Sequence, residues 1–145
     1  MTDLLDLYQE IILDHNRKPR NFGELPGRTH EAEGYNPLCG DHVRVQVVVS
    51  DGRVADLKFT GQGCAISTAS ASMMTQFLKG KNLSEALGLV ERVRASLTSD
   101  DDHGDIGDLG CLSGVREFPN RVKCATLAWH AFKSAVTGGE KVTTE

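Results

Sequence analysis

The chain has 145 residues, of which 39% are hydrophobic and 25% charged, with a formal net charge of −4 and a pI near 5.7. That length suits one compact domain, and the mildly acidic balance excludes the basic surface that non-specific nucleic-acid binding needs. No run approaches the ~20 consecutive apolar residues of a membrane helix, and the opening MTDLLDLYQE lacks the basic region of a signal peptide, so a cytoplasmic protein is expected.

The first predicted element is a helix. Leu4, Leu7, Tyr8, Ile11 and His15 share one face at helical spacing, Thr2 or Asp3 can cap it, and Lys18-Pro19 ends it. After a turn-rich stretch through Gly23, Pro26 and Gly27, residues 29–35 offer an edge strand. A hairpin follows: Val43, Val45, Val47 and Val49 alternate with Arg44, Gln46 and Val48, Asp51-Gly52 makes the turn, and Ala55, Leu57 and Phe59 alternate back. Beyond Gly61-Gln62-Gly63, where both glycines are expected to permit a tight strand-to-helix turn, the period changes and residues 65–78 read as a helix. Asn82-Leu83-Ser84-Glu85 resembles a capping box opening a helix to about Leu97. The acidic run from Ser99 to Asp108 is expected to be an exposed loop, with one short helical turn near Leu109. A last helix starts near Pro119-Asn120 and runs to about Val136, where Gly138-Gly139 stops it, and residues 138–145 are expected to form a disordered tail. The whole reads as a single α+β domain over residues 1–145: a small antiparallel three-stranded sheet with helices packed on one side.

Four cysteines are placed on this frame: Cys39, Cys64, Cys111 and Cys124. In a reducing compartment disulfides are rare, so the choice lies between metal or sulfur chemistry and inert buried thiols. Cys39 lies in the loop before the hairpin and Cys64 just after it, and antiparallel geometry brings the two outer ends together. Cys124 lies in the first turns of the last helix and needs one more element to dock there. Helix N-termini favour thiolates, and three thiolates side by side call for a divalent cation. Asp41, two residues from Cys39, offers a fourth ligand on the same side of an extended chain. The spacing contains no C-x-x-C pair, so by itself it also permits Asp41 simply to begin the strand.

Asn36-Pro-Leu-Cys-Gly-Asp41, Gly61-Gln-Gly-Cys-Ala-Ile-Ser67 and Arg121-Val-Lys-Cys-Ala-Thr-Leu-Ala-Trp129 resemble the three cysteine motifs of the IscU/SufU/NifU N-terminal family, and the stretch LYQEIILDHNRKPRNFG is similar too. The resemblance covers nearly the whole chain. It implies the family's fold and a metal site of Cys39, Asp41, Cys64 and Cys124. Lys123 stands where scaffold-type members have a histidine, Val115 to Arg121 lacks their L-P-P-V-K segment, and residues 97–114 resemble an insertion of the SufU type. A SufU-type protein implies a Zn2+-dependent sulfurtransferase that activates a SufS-type cysteine desulfurase, accepts its persulfide sulfur and passes it to a SufBCD-like complex; Cys39, in a loop between Pro37 and Gly40, is expected to be the acceptor. The alternative is a scaffold on which iron or a transient [2Fe–2S] cluster is held by the same ligands. A purely structural zinc domain is a third reading, against which an Asp ligand and a loop-borne Cys argue. No nucleic-acid or membrane partner is expected.

Arg121 matches a basic position of the SufU motif. It is a candidate for stabilising a thiolate or docking the desulfurase, weighed against a solvated surface charge. His42 neighbours Asp41 but should face the other side of the strand. His15, His30, His103 and His130 read as structural or solvated, Cys111 as an inert small side chain, Lys123 as a surface residue, and Met73 and Met74 as core.

Overall fold

The computed structural model describes residues 2–37, 40–98, 119–137 and 141–143. The elements run α1 (Thr2–Arg17), β1 (His30–Asn36), β2 (Asp41–Ser50), β3 (Arg53–Gln62), α2 (Ala65–Leu78), α3 (Leu83–Thr98), α4 (Pro119–Thr137) and β4 (Lys141–Thr143). The expected helices and the hairpin are all present. The short turn expected near Leu109 lies outside the described residues.

The β2–β3 hairpin turns through Asp51 (φ 53°) and Gly52 (φ 73°). Two consecutive positive φ values give the turn whose twist matches that of the flanking strands, which is why Asp-Gly stands there. The register sets Val45 opposite Phe59 and Val47 opposite Leu57, so these four side chains form one apolar patch on a single face. β1 adds antiparallel to β2, with Ala32 opposite Val45, Gly34 opposite Val43 and Asn36 opposite Asp41.

The sheet order is β3-β2-β1-β4, in which β4 pairs parallel with β1. Residues 141–143, within the stretch expected to lack structure, therefore add a fourth strand to the antiparallel three. Their polar sequence carries no strand signal, because a three-residue edge partner is selected by the strand it meets rather than by its own pattern.

The helices pack on one face. α4 crosses β1 and β2, α2 lies against β3 and α4, α1 covers α2, and α3 covers α4. Trp129, Phe132 and Leu127 of α4 join Met73, Met74 and Leu78 of α2 and Val45, Val47 and Leu57 of the sheet in a single core. Each such side chain contributes roughly 1.5–3 kcal/mol by leaving water. Gly34 brings α4 in closely: a Cβ there would lie 3.0 Å from Leu127 Cδ1 and 3.2 Å from Val43 Cγ1. The opposite face carries His42 and Arg44, and the chain after α1 partly covers it, with the Leu25 N–H donating to the buried Gln46 Oε1 at 2.6 Å. None of the helices among the described residues is long and apolar enough to cross a membrane.

α2 is unusual in burying hydroxyl groups: Ser67, Ser70, Ser72 and Thr75 are all buried. Buried hydroxyls need partners. Ser70 donates to the Ala125 carbonyl at 2.5 Å and accepts from Trp129 Nε1 at 2.8 Å. Ser72 Oγ accepts from the Arg20 N–H at 2.8 Å and meets His15 Nδ1 at 2.7 Å. His15, buried among these groups, is a structural histidine. These small polar residues let α1 and α4 approach α2 closely and fix its rotation, and the rotation aims the start of α2 at the start of β2.

Candidate metal centre

Asp41 is the first residue of β2 and is fully buried. Its Oδ1 accepts the Cys64 N–H at 2.9 Å, and its Oδ2 lies 3.5 Å from Asn36 Nδ2. The first contact ties the beginning of the hairpin to its end. It works because His42 pairs with Gln62, leaving Asp41 one residue and Cys64 two residues beyond the end of the β2–β3 ladder.

Cys64 is the N-cap of α2. Its backbone is extended and its sulfur accepts the Ser67 N–H at 3.4 Å. The thiol thus takes the place usually filled by a Ser or Asp oxygen, where the unpaired N–H groups and the helix dipole favour negative charge. Cys124 lies on α4, 2% exposed, with its sulfur 3.5 Å from Asn36 Nδ2. The Asp41 carboxylate and the Cys64 and Cys124 sulfurs each offer an atom within 4.8 Å of the other two, the one such convergence among the described residues.

Gly61 and Gly63 do different work. Gly61 has φ 142°, and a Cβ on it would meet the His42 carbonyl oxygen at 2.1 Å, so it is the residue that the turn requires. Gly63 has no positive φ. A Cβ there would lie 2.4 Å from Asp41 Oδ1, so its role is to leave room for the carboxylate. The expectation that both glycines serve the turn is corrected to that extent.

The remaining candidates divide. Cys39 and Cys111 lie outside the described residues, and Arg121 belongs to α4, three residues before Cys124, with a side chain outside them. His42 points away from the cluster, as its place on the strand requires, and its Nε2 lies 3.1 Å from Glu33 Oε1. His130 lines a separate cavity of about 450 Å3 with Glu91, Arg94, Ala95, Val122 and Thr126. Burial, followed by the nearby Arg94 and Lys133 charges, pushes this imidazole below its ordinary pKa. None of those lining residues is a cysteine. Asn36 is the site residue that sequence reasoning missed. It stands in the first cysteine motif, but its proximity to Asp41 and Cys124 depends on the β1–β2 register and the docking of α4.

The donor set fits a divalent metal. The three ligand atoms already lie within 4.8 Å of one another, and carboxylate oxygen and cysteine sulfur are both ordinary zinc donors. One carboxylate and two thiols, largely withdrawn from water, would repel one another when ionised and have chemical reason to share a cation.

The sequence matches the NifU-like N terminal domain over residues 7–143. The chain belongs to that family. As a NifU-like N-terminal domain it is 43% identical over 136 residues to the zinc-dependent sulfurtransferase SufU of Bacillus subtilis, covering 92% of each chain. It is 37% identical to the iron-sulfur cluster assembly scaffold protein IscU of Streptococcus pyogenes, covering 94% of this chain and 86% of that one. Its fold superposes with a TM-score of 0.82 on a structure from Fervidobacterium islandicum AW-1 named as an iron-sulfur cluster assembly scaffold protein for the SUF system. That pair is 31% identical and covers 88% of this chain and 94% of the other. The family and fold implied by the three cysteine motifs are therefore those of this chain, while its relatives carry two different activities in their names.

Proposed function

We propose that this NifU-like domain is a cytoplasmic, zinc-dependent sulfur-transfer protein of iron–sulfur cluster biogenesis. In this reading it accepts persulfide sulfur from a SufS-type cysteine desulfurase and passes it to a SufBCD-like assembly complex. The observation that carries the reading is the convergence of Asp41, Cys64 and Cys124, with a further cysteine, Cys39, two residues before Asp41 in the sequence. The 43% identity to a zinc-dependent sulfurtransferase supports it.

Asp41, Cys64 and Cys124 would hold the metal, with Cys39 as the fourth ligand. Zinc, when bound, keeps thiols ionised at neutral pH and does not itself change oxidation state. Cys39 is assigned as the member that leaves the metal, since Cys64 caps one helix and Cys124 lies within another, so both are held by their elements. Its thiolate attacks the outer sulfur of the desulfurase persulfide. A new S–S bond forms to Cys39, the donor's S–S bond breaks, and the donor cysteine leaves as a thiolate, so no net oxidant or reductant is consumed. Arg121, one helical turn before Cys124, serves to hold a thiolate or dock the desulfurase.

A scaffold role is the second reading, favoured by the 37% identity to a scaffold protein, and these ligands could also hold iron. One experiment separates the two. Protein purified without oxygen is analysed for metal, then incubated with a SufS-type desulfurase and cysteine, and the added sulfur is mapped by mass spectrometry. Stoichiometric zinc and a persulfide on Cys39 that is abolished in Cys39→Ala are expected. Sulfur that appears on Cys64 or Cys124 at an unchanged rate in Cys39→Ala overturns the assignment, and a visible-absorbing iron cluster in place of zinc favours the scaffold.

A further inference from the structure

We propose that Asn36 is a positioning residue of this metal centre, its side-chain amide shared between the Asp41 carboxylate and the Cys124 sulfur. The inference rests on the metal reading above and extends it to a residue that holds no metal itself.

Asn36 is the last residue of β1 and is fully buried. It stands directly opposite Asp41 in the antiparallel register, so the two side chains rise from the same face of the sheet. α4 crosses that face and brings Cys124 to the same point. Nδ2 lies 3.5 Å from Asp41 Oδ2 and 3.5 Å from Cys124 Sγ. An amide nitrogen carries two hydrogens, one for each acceptor. The larger sulfur accepts comfortably at that length, while the contact to oxygen is long. Turning the amide over would set its carbonyl oxygen against the Asp41 carboxylate oxygen, acceptor against acceptor, so that neighbour selects the orientation with nitrogen inward.

The arrangement limits what else could stand at position 36. Aspartate has the same shape but would add an anion to a cluster that already holds three ionisable ligand groups. Serine reaches less far and has one donor, and glutamine is one carbon longer, which moves its amide away from the point where the two acceptors meet. With the Cys64 N–H on Oδ1 and Asn36 on Oδ2, both oxygens of Asp41 are held, so the carboxylate keeps one rotamer before any cation arrives. The same amide fixes the Cys124 sulfur relative to that carboxylate. A ligand pair held in advance spends less entropy on binding, and groups that orient metal ligands are typically worth 10- to 100-fold in affinity.

The test has two arms. The first uses metal-free protein and follows the two side-chain amide protons of Asn36 by NMR. Cys124→Ala should shift one of them and Asp41→Ala the other, and both should exchange slowly with water in the wild type. The second titrates Zn2+ against a chromophoric chelator in the wild type, Asn36→Ala and Asn36→Asp, with the thiolate charge-transfer band of the Co2+ form as a report on ligand geometry. Zinc affinity about 10- to 100-fold lower in both variants is expected, with an altered Co2+ band and a metal-free circular dichroism spectrum like that of the wild type. Wild-type affinity in Asn36→Asp, or Asn36 protons that ignore both alanine substitutions, overturns the proposal. So does a variant that melts early when metal-free but binds zinc normally once folded, because that marks a purely structural role. A wild-type protein whose Asn36 protons respond as expected but which takes up no zinc upholds the shared amide and overturns the metal reading above, so the two failures are distinct.

Discussion

A methyl group at Gly63 would sit 2.4 Å from Asp41 Oδ1, while one at Gly61 would sit 2.1 Å from the backbone carbonyl oxygen of His42. The first obstacle is a side chain that can rotate away, and the second cannot move without opening the ladder between β2 and β3. The two alanine substitutions should therefore fail differently. Gly63→Ala is expected to keep the fold, at a cost of about 1–3 kcal/mol for the displaced hydrogen bond to Cys64, and to weaken zinc binding at least 10-fold because Asp41 is turned out of the cluster. Gly61→Ala, which also forces a side chain onto φ 142°, should cost more stability than Gly63→Ala. Chelator competition and urea denaturation of both variants check this. Unchanged zinc affinity in Gly63→Ala would mean that Asp41 does not ligate from its observed position.

At the scale of elements, the position of α2 decides where Cys64 points, and buried hydroxyls hold α2 together with its core residues Met73, Met74 and Leu78. Ser72 meets both His15 of α1 and the backbone after it. Ser72→Ala removes a buried hydroxyl that meets both groups and is expected to destabilise the protein by about 1–3 kcal/mol, with amide exchange in α1 accelerated first. A loss below about 0.5 kcal/mol, the range of ordinary surface substitutions, would show that the hydroxyl is dispensable. This network also marks where sequence reading stops. The hairpin was legible because Asp51-Gly52 and the alternating valines are local signals, and Cys64 could be set at a helix start because the period changes there. Ser72 and His15 carry no such signal: their pairing joins elements that meet only in the folded chain. Asn36 is hidden for the same reason, since it becomes a site residue only through strand register and the crossing of α4. β4 is hidden more thoroughly, because a parallel partner at an edge leaves no periodic trace. For Cys39 and Arg121, the roles rest on sequence motifs and on the proposed chemistry.

Across the whole molecule the core is continuous from β3 through α2 to α4 and does not depend on the ligand cluster for its contacts. Structural zinc contributes ~10–16 kcal/mol in small peptides that lack such a core, whereas a domain of ordinary size is stable by ~5–15 kcal/mol in all. Removing zinc is therefore expected to lower the melting temperature markedly while leaving a single cooperative transition, measurable by calorimetry before and after chelation. An unchanged curve after verified metal loss would disprove the claim that the ion ties β2, α2 and α4 together. The order of these segments along the chain has a consequence in time. Asp41 and Cys64 belong to the two ends of one hairpin, a pairing of neighbouring segments that closes early in folding. Cys124 lies far downstream on the helix that completes the core, and during synthesis it leaves the ribosome after the other two have already had the chance to meet. In the proposed site a nascent chain would thus carry Cys39, Asp41 and Cys64 but lack the last ligand until α4 docks. Completion of the proposed site is thereby timed to the end of folding.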